Sequence, residues 1–294
     1  MRKIAALTIS LAGMMAMGAG KADDPLTRPI APESAKRRLT PQPPVRLYGK
    51  TYLVGFGGLN VALIRTSAGL ILIDGAVPQA VGDIEVKMRA LGFSIRQVKL
   101  ILSTEPHFDH AGGIAALARD SGATVVASAP AADVLRQGGG DPDDPQAAWL
   151  ERFPAVANLR VARDGEVIRL GDTAITAHAT PGHTLGSMSW SWKSCEGEDC
   201  RTIVFAASLN PIAADGWRFA DPAHRRFVDA FRGSFAKVKA MRCDMLIASH
   251  PLDGDAGRVA QLRKARTPNP FIDPNACRRY AERAEAALRK TLAE

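Results

Sequence analysis

The sequence predicts an α/β sandwich made of two similar halves. Strand-like segments followed by helix-like segments occur twice along the chain, and this repeated order favours a layered α/β architecture. Glycine-rich turns separate short apolar segments from Arg46 onward, as they do between the strands of a sheet. A chain of 294 residues is long enough for one large core. We therefore expect one folded domain over residues 46–294.

Residues 1–22 are predicted to be a secretory signal peptide rather than part of the domain. Two basic residues precede an apolar segment over 4–17, and Gly20-Lys21-Ala22 offers a small-x-small cleavage site. A buried N-terminal helix or a membrane anchor is the alternative, although the apolar segment is too short for an anchor. Export to the periplasm follows from this prediction. Residues 23–45, rich in Pro, Arg and Ser, are then an extended N-terminal arm.

The first half of the domain is expected to contain short strands and two helices. Apolar residues recur at helical spacing over 81–91, and a second helix begins at about Gly113. Residues 138–150 are rich in Gly, Pro and Asp, and form a loop that is long enough to be functional. The strand-like segments are 46–55, 59–66, 69–74, 98–102 and 123–127.

The second half repeats this order of strands and then helices. A helix with phenylalanines on one face covers 227–238, and two further helices cover about 255–264 and 275–292. The strand-like segments are 167–178, 187–193, 202–206 and 244–249.

Charge and hydropathy exclude two classes of partner. The 38 basic and 30 acidic side chains give a formal charge of +8, but the basic residues are scattered and form no block interleaved with aromatics. We therefore expect no nucleic-acid partner. After residue 20 no apolar run reaches the about 18 residues that span a bilayer, so we expect no membrane association once the signal peptide is removed.

The four cysteines suit two disulfides in an oxidising compartment. Four cysteines allow three pairings, and the sequence alone leaves the choice open. Cys195 and Cys200 bracket a predicted hairpin tip and can close locally, which leaves Cys243 and Cys277 to join a late strand to the last helix. A zinc cluster of four cysteines is the alternative, but no C-x-x-C pair supports it.

The segment S-T-E-P-H-F-D-H-A-G-G at 103–113 carries the most specific chemistry. It places Glu105, His107, Asp109 and His110 directly after the predicted buried strand, where α/β proteins often carry catalytic loops. Imidazole and carboxylate ligands without thiolate suit a zinc ion that keeps an open position. A polar helix cap would explain one histidine, but it explains four ligands in six positions poorly.

Two other histidines complete a candidate metal centre. His183 lies in T-P-G-H-T-L-G-S at 180–187, and His250 ends another apolar segment at S-H-P. Alone, each would be interpreted as a structural histidine, but together with the 105–110 cluster they are predicted to be ligands. His178, within a strand, and His224, near a helix start, are interpreted as structural.

These motifs resemble the metallo-β-lactamase superfamily. The resemblance rests on H-F-D-H after a buried strand, G-H-T-x-G about seventy residues later and a late histidine, and it covers residues 46–290. It implies an αββα sandwich with the metal site at the edge between the sheets. Because this superfamily includes β-lactamases, lactonases, glyoxalase II, persulfide dioxygenases and RNA nucleases, the fold alone gives no substrate.

Position 208 makes the resemblance more specific. Glyoxalase II and the lactonases place a metal-bridging Asp in the segment where this chain has Ser208. A serine there, the adjacent Asp109 and His110, and a second metal site without cysteine resemble subclass B3 metallo-β-lactamases. The predicted signal peptide, a Cys243–Cys277 bridge and I-L-I-D-G at 71–75 agree with that subclass.

The resemblance implies two Zn²⁺ per chain and a hydrolytic mechanism. A hydroxide that the two ions share attacks the lactam carbonyl. Asp109 also orients this nucleophile. The implied ligands of the first ion are Glu105, His107 and His183, and those of the second are Asp109, His110 and His250.

Substrate contacts are expected from Ser208, Asn210 and Trp149. Ser208 is expected to hydrogen-bond the substrate carboxylate or a metal-bound water, whereas Asn210 occupies a position where the family often has a second serine. Trp149 lines the substrate groove or anchors its loop. Glu105 is the main departure, because the usual ligand there is His; an extra carboxylate makes the centre less positive and a weaker Lewis acid.

The sequence therefore predicts a monomeric, periplasmic zinc hydrolase that opens the rings of penicillins, cephalosporins or carbapenems. A lactone or thioester hydrolase of the same fold is the alternative among enzymes. A zinc-binding protein with little catalysis, weakened by Glu105, is the alternative outside that class.

Overall fold

A computed structural model describes residues 24–264 and 268–293, so the predicted signal peptide lies outside the described residues. In the described part of the chain, two β-sheets pack face to face with helices on both outer sides. The predicted αββα sandwich is thereby confirmed.

The first sheet contains seven strands in the order of the chain, within the described ranges. The first four strands pair antiparallel, and the last four pair parallel, with β4 common to both groups. The strands are β1 (Val45–Tyr48), β2 (Thr51–Leu53), β3 (Ala62–Thr66), β4 (Gly69–Ile73), β5 (Val98–Leu102), β6 (Thr124–Ala127) and β7 (Leu159–Val161).

Among the described residues, the second sheet contains five strands in the order β12-β11-β10-β9-β8. Its strands pair antiparallel except for β11 and β12, which are parallel. The strands are β8 (Val167–Leu170), β9 (Thr173–Ala179), β10 (Met188–Glu196), β11 (Asp199–Ala206) and β12 (Met245–Ala248).

The α-helices of the described residues cover the two outer faces and the edge that carries the site. The helices are α1 (Pro32–Arg38), α2 (Val81–Ala90), α3 (Phe108–Ala111), α4 (Ile114–Ser121), α5 (Ala129–Gln137), α6 (Arg225–Ala240), α7 (Asp255–Arg263) and α8 (Ala276–Ala293). None of these helices is long and apolar enough to cross a membrane.

In the part of the chain that the structure describes, three apolar clusters fill the spaces between the four layers. One joins the first sheet to α2, α4 and α5, and the middle one lies between the two sheets around Trp190. The third joins the second sheet to α6 and α8, where Phe227, Phe231 and Phe235 form the buried face of α6. Their spacing at positions four apart on one helix face follows the helical period, which is why the sequence predicts this helix correctly.

Both predicted disulfides are confirmed. Cys195 and Cys200 lie directly opposite each other on β10 and β11 and are bonded. Cys243, just before β12, is bonded to Cys277 in the first turn of α8. The second bond therefore links the end of the second sheet to the last helix.

The N-terminal arm differs from the extended segment that the sequence predicts. Residues 32–38 form α1, a helix that begins with a proline in its first turn and carries Glu33 at its N-terminal end and basic residues at its C-terminal end. This arrangement suits both the fixed φ of proline and the helix dipole. Residues 23–45 are thus not extended throughout.

Other differences arise at turns and caps. The predicted strands 46–55 and 167–178 are each divided by a two-residue turn, at Gly49-Lys50 and Gly171-Asp172. Helix α5 was not predicted, although Ser128 accepts a hydrogen bond from the amide of Ala131 as an N-cap. The apolar face of α5 is short and the helix begins two residues after β6 ends, so no helical period of apolar residues is recognisable in the sequence there.

Candidate metal centre

The candidate centre lies at one edge of the sandwich, where strands of both sheets end. Strand β5 leads into 103–107 and then into the one-turn helix α3, which together carry four of the six predicted ligands. His183 lies in the connection between β9 and β10, and His250 follows β12. Five of the six predicted ligands are buried, and the side chain of His250 is 36% exposed.

Two histidines form what we call the oriented pair, His107 and His183. Their ring centroids are 5.0 Å apart. The Nε2 atom of His107 lies 2.9 Å from Oδ2 of the buried Asp144, and Nδ1 of His183 donates to the backbone carbonyl of Asn210 at 2.9 Å. Since a carbonyl or an ionised carboxylate only accepts, the ring nitrogen that faces it is the protonated one, and the neutral form of each ring has its lone pair on the other nitrogen.

The other four predicted ligands form what we call the charged cluster: Glu105, Asp109, His110 and His250. Ligand atoms of Glu105, His110 and His250 all lie within 4.8 Å of one another. The Nε2 atom of His110 is 2.9 Å from Oε1 of Glu105 and 3.1 Å from Nε2 of His250. Oδ2 of Asp109 is 3.4 Å from Nε2 of His250. These side chains therefore contact one another directly.

Glu105 lies with the charged cluster in this geometry. The sequence assigns it to one ion together with the oriented pair, whereas among the described residues the structure groups it with His110 and His250. Ser208 explains this position, because its hydroxyl donates to Oε1 of Glu105 at 2.7 Å and its amide donates to Oε2 at 3.1 Å. The segment after β11 thus holds the carboxylate of Glu105 in place through two hydrogen bonds.

The carboxylates and imidazoles of the charged cluster stabilise one another's charged forms. Burial alone would raise the pKa of Glu105, but His110 and His183 outweigh burial and hold this pKa well below its usual range. Burial alone would lower the pKa of His110, but the carboxylates of Asp109 and Glu105 raise it well above its usual range. Burial lowers the pKa of His183, which favours the neutral ring that a metal ligand requires.

The donor set fits a divalent transition metal ion. Imidazole and carboxylate side chains converge on one buried edge, and the rings of His107, His183 and His250 each place one nitrogen on a carboxylate or carbonyl oxygen. Such outer hydrogen bonds orient metal-binding histidines in proteins. The fourth ring, His110, has Nδ1 3.4 Å from Oδ2 of Asp74, without a hydrogen bond of good geometry.

A groove of about 500 Å³ opens onto these residues. Asn210 and Trp149, two of the residues predicted to contact substrate, line this groove, and Trp149 is half exposed. Ser208 is buried, and its hydroxyl is bonded to Glu105 and lies 3.1 Å from the hydroxyl of Ser249. The structure thus places Ser208 beneath Glu105 rather than on the wall of the groove.

Several residues of the site have no clear signal in the sequence. Asp144 contacts His107, and Nε2 of Gln146 lies 3.3 Å from Nε2 of His183, both from the 138–150 loop. Arg38 approaches the site from α1, in the arm that was expected to be extended. Only the length and polarity of the loop indicated a function, and these properties do not select individual residues.

The two histidines interpreted as structural lie apart from the centre. Nε2 of His178 is 2.8 Å from the hydroxyl of Ser191 on the neighbouring strand. The ring of His224 stacks on Trp217, and its Nδ1 donates to the carbonyl of Arg218. Their contacts agree with the sequence interpretation.

Comparison with known proteins supports the family resemblance that the sequence motifs indicate. A family model described as the metallo-β-lactamase superfamily matches residues 54–196. A solved structure described as the first B3 metallo-β-lactamase with an active-site glutamic acid is 55% identical, with a TM-score of 0.85, and the match covers 92% of this chain and 98% of that one. MEM-A1, a subclass B3 metallo-β-lactamase from a soil metagenome library, is 46% identical, with a TM-score of 0.82, over 86% and 97%.

Curated relatives are more distant. The acyl-coenzyme A thioesterase MBLAC2 of Homo sapiens is 29% identical over 130 residues, which are 39% of this chain and 42% of the relative. The chain therefore spans less than half the length of the curated relatives it matches.

Proposed function

The chain belongs to the metallo-β-lactamase superfamily, and we propose that it hydrolyses the amide bond of β-lactam antibiotics with the help of bound zinc. The observation that carries this proposal is the likeness, along nearly the whole chain, to a B3 metallo-β-lactamase with an active-site glutamic acid. Glu105 is the glutamate of the candidate centre in this protein, and it is fully buried there.

We propose that two zinc ions bind at this edge. His107 would bind one ion through Nδ1 and His183 through Nε2, because their other nitrogens are engaged. Asp109, His110 and His250 would hold the second ion, and Glu105 would add a carboxylate to the first. When bound, zinc supplies Lewis acidity for the lactam carbonyl and lowers the pKa of a water molecule.

The chain's own residues would position the water and the substrate. The carboxylate of Asp109 would accept a hydrogen bond from the attacking water and so orient its lone pair toward the carbonyl carbon. Asn210 lines the groove, and its side-chain amide would donate to a substrate oxygen. The exposed ring of Trp149 would pack against an apolar substituent of the substrate.

Ser208 supports a β-lactam substrate over a lactone or a thioester. The superfamily members that this chain resembles less place a bridging aspartate at this position, whereas here a serine hydroxyl donates to Glu105. The distant likeness to a thioesterase is the observation in favour of the alternative.

We propose, in addition, that the protein is exported and monomeric. The two disulfides suit an oxidising compartment such as the periplasm, and they support removal of residues 1–22 on export. Residues 46–294 would then be the catalytic domain, with α1 as part of its groove.

A substrate panel tests the proposed function. The purified mature protein is supplied with zinc and assayed with a penicillin, a cephalosporin, a carbapenem, a lactone and a thioester. We expect β-lactam turnover that His183→Ala abolishes and that His178→Ala, a histidine change outside the site, leaves intact. Turnover of the lactone or thioester alone would contradict the proposal, and so would zinc binding without turnover of any substrate.

A further inference from the structure

We propose that Arg38 is a positioning residue that lowers the affinity of the centre for its second metal ion. This inference rests on the proposed metal centre, and it concerns the side chain that the N-terminal helix α1 places against Asp109. Its guanidinium acts as an internal cation at the carboxylate that the second ion requires.

Arg38 contacts the oxygen at which the charged cluster converges. Nε of Arg38 lies 3.1 Å from Oδ2 of Asp109, whose side chain is 5% exposed. The same Oδ2 is 3.4 Å from Nε2 of His250 and 3.6 Å from Nε2 of His110. A cation that uses this oxygen together with the two imidazoles would therefore come close to the guanidinium.

The position of Arg38 is fixed by the fold on both sides. The carbonyl of Arg38 accepts a hydrogen bond from the amide of Gly58 at 3.1 Å, and the carbonyl of Gly58 accepts one from Nδ1 of His250 at 3.0 Å. A Cβ atom at position 58 would lie 2.7 Å from the Cα atom of Arg38, so this close approach requires glycine. One residue thus holds both the helix end and a predicted ligand.

The side chain of Arg38 is supported as well as its backbone. Its guanidinium donates to the hydroxyl of Ser34 one turn earlier, and it lies 5.6 Å from the centroid of the Phe108 ring. Phe108 immediately precedes Asp109 in α3. The contact with Asp109 is therefore part of a packed arrangement that joins α1 to α3.

The charge of Arg38 opposes metal binding and also offsets Glu105. A guanidinium stays charged in proteins, so a divalent ion at Asp109 meets a fixed positive charge and must displace or tolerate it. The side chain is 32% exposed, and water screens part of this repulsion. Because Glu105 adds one negative charge to the centre, Arg38 returns the net charge toward that of a centre with histidine at position 105.

Metal titration of the chelator-treated mature protein tests the inference without any substrate. Zinc is titrated in competition with a chromophoric chelator, and cobalt(II) is titrated separately so that its visible absorption reports each site. For Arg38→Gln and Arg38→Met we expect the second ion to bind about tenfold more tightly than in the wild type. The Met variant retains the packing of the stem on Phe108.

Two charge controls accompany these variants. Arg37→Gln removes the same charge from the neighbouring position of α1, whose side chain also lines the groove, and is expected to change the second affinity less than about twofold. Arg38→Lys keeps the charge and is expected to stay close to the wild type. Thermal unfolding of each apoprotein confirms that it is folded.

An unchanged or weaker second affinity in both folded Arg38 variants would overturn the inference. An equal gain in Arg37→Gln would overturn it too, because the effect would then be one of general surface charge. Since these measurements need no turnover, they remain decisive if the protein does not hydrolyse β-lactams.

Discussion

The oriented pair and the charged cluster stabilise their buried polar side chains in different ways. In the oriented pair, His107 and His183 each place one ring nitrogen on an outer acceptor, the carboxylate of Asp144 and the carbonyl of Asn210. The second nitrogen of His183 lies 3.3 Å from Nε2 of Gln146. In the charged cluster, Glu105 and His110 bond to each other, and Arg38 pairs with Asp109.

This difference predicts that the two groups of ligands lose different contacts when a metal ion binds. The rings of the oriented pair are held in advance by their outer acceptors, so of the three ligands proposed for that ion only Glu105 must leave an ion-pair contact, the one with His110. An ion at the charged cluster must replace contacts that its ligands already make with one another. It must also displace the proton of His110, whose pKa is raised well above its usual range despite burial, whereas the pKa of His107 is raised less. We therefore expect the oriented pair to bind the tighter ion.

Asp144→Ala should break the advantage of the oriented pair and give the largest effect. His107 would lose the acceptor 2.9 Å from its Nε2, so its tautomer and ring orientation would no longer be fixed. Loss of such an outer partner costs about 10–100-fold in metal affinity or activity. The measurement is zinc affinity by chelator competition, together with kcat at saturating zinc.

Asp143→Asn is the matched control for that change. Asp143 belongs to the same loop, is exposed and pairs with Arg226 on the surface. We expect its variant to bind zinc as the wild type does. Equal affinities for Asp144→Ala and Asp143→Asn would show that the oriented pair does not depend on Asp144.

Ser208→Ala should act on the charged cluster, with a smaller effect. The buried carboxylate of Glu105 would lose the hydroxyl that donates to it at 2.7 Å, while the amide donor of residue 208 would remain. A hydrogen bond to a charged group contributes about 1.5–3 kcal/mol, so we expect lower stability and about tenfold weaker zinc binding.

The Michaelis constant separates this role of Ser208 from a substrate contact. At saturating zinc, we expect KM for a penicillin to be nearly unchanged in Ser208→Ala. A large rise in KM with unchanged zinc affinity would instead support the direct contact with the substrate carboxylate that the sequence predicts.

We expect Glu105→His to have the smallest effect of the substitutions at the centre. Removing the carboxylate makes the centre more positive, which strengthens its Lewis acidity, but it also removes the partner of His110 and Ser208. We expect a modest rise in turnover at saturating zinc, because the bound ions become stronger Lewis acids, measured on the same protein preparation as the wild type. Unchanged turnover at saturating zinc would contradict the account of Glu105 as a charge that weakens the Lewis acidity of the centre.

The sequence predicts the parts of this centre that are local in the chain. Glu105, His107, Asp109 and His110 are visible because they lie within six positions after an apolar strand, and the short strand-ending motifs identify His183 and His250. The layered fold follows equally from apolar periodicity, as in the phenylalanines of α6.

The sequence could not predict the outer contacts, because they join residues far apart in the chain. Asp144 is 37 residues from His107, and it lies in a loop that has no periodic pattern. Arg38 meets Asp109 only because Gly58 allows α1 to pack closely at the site. By contrast, the missed helix α5 had a readable start in Ser128 and the following proline.

Zinc-dependent recovery of penicillin hydrolysis tests the central claim most directly. The mature protein is stripped with a chelator, zinc is added back in steps, and the hydrolysis rate is followed alongside the number of ions bound. The account predicts no hydrolysis without metal and recovery as the site fills, with the oriented pair filling before the charged cluster. Full zinc occupancy without hydrolysis, or hydrolysis that survives complete removal of metal, would contradict it.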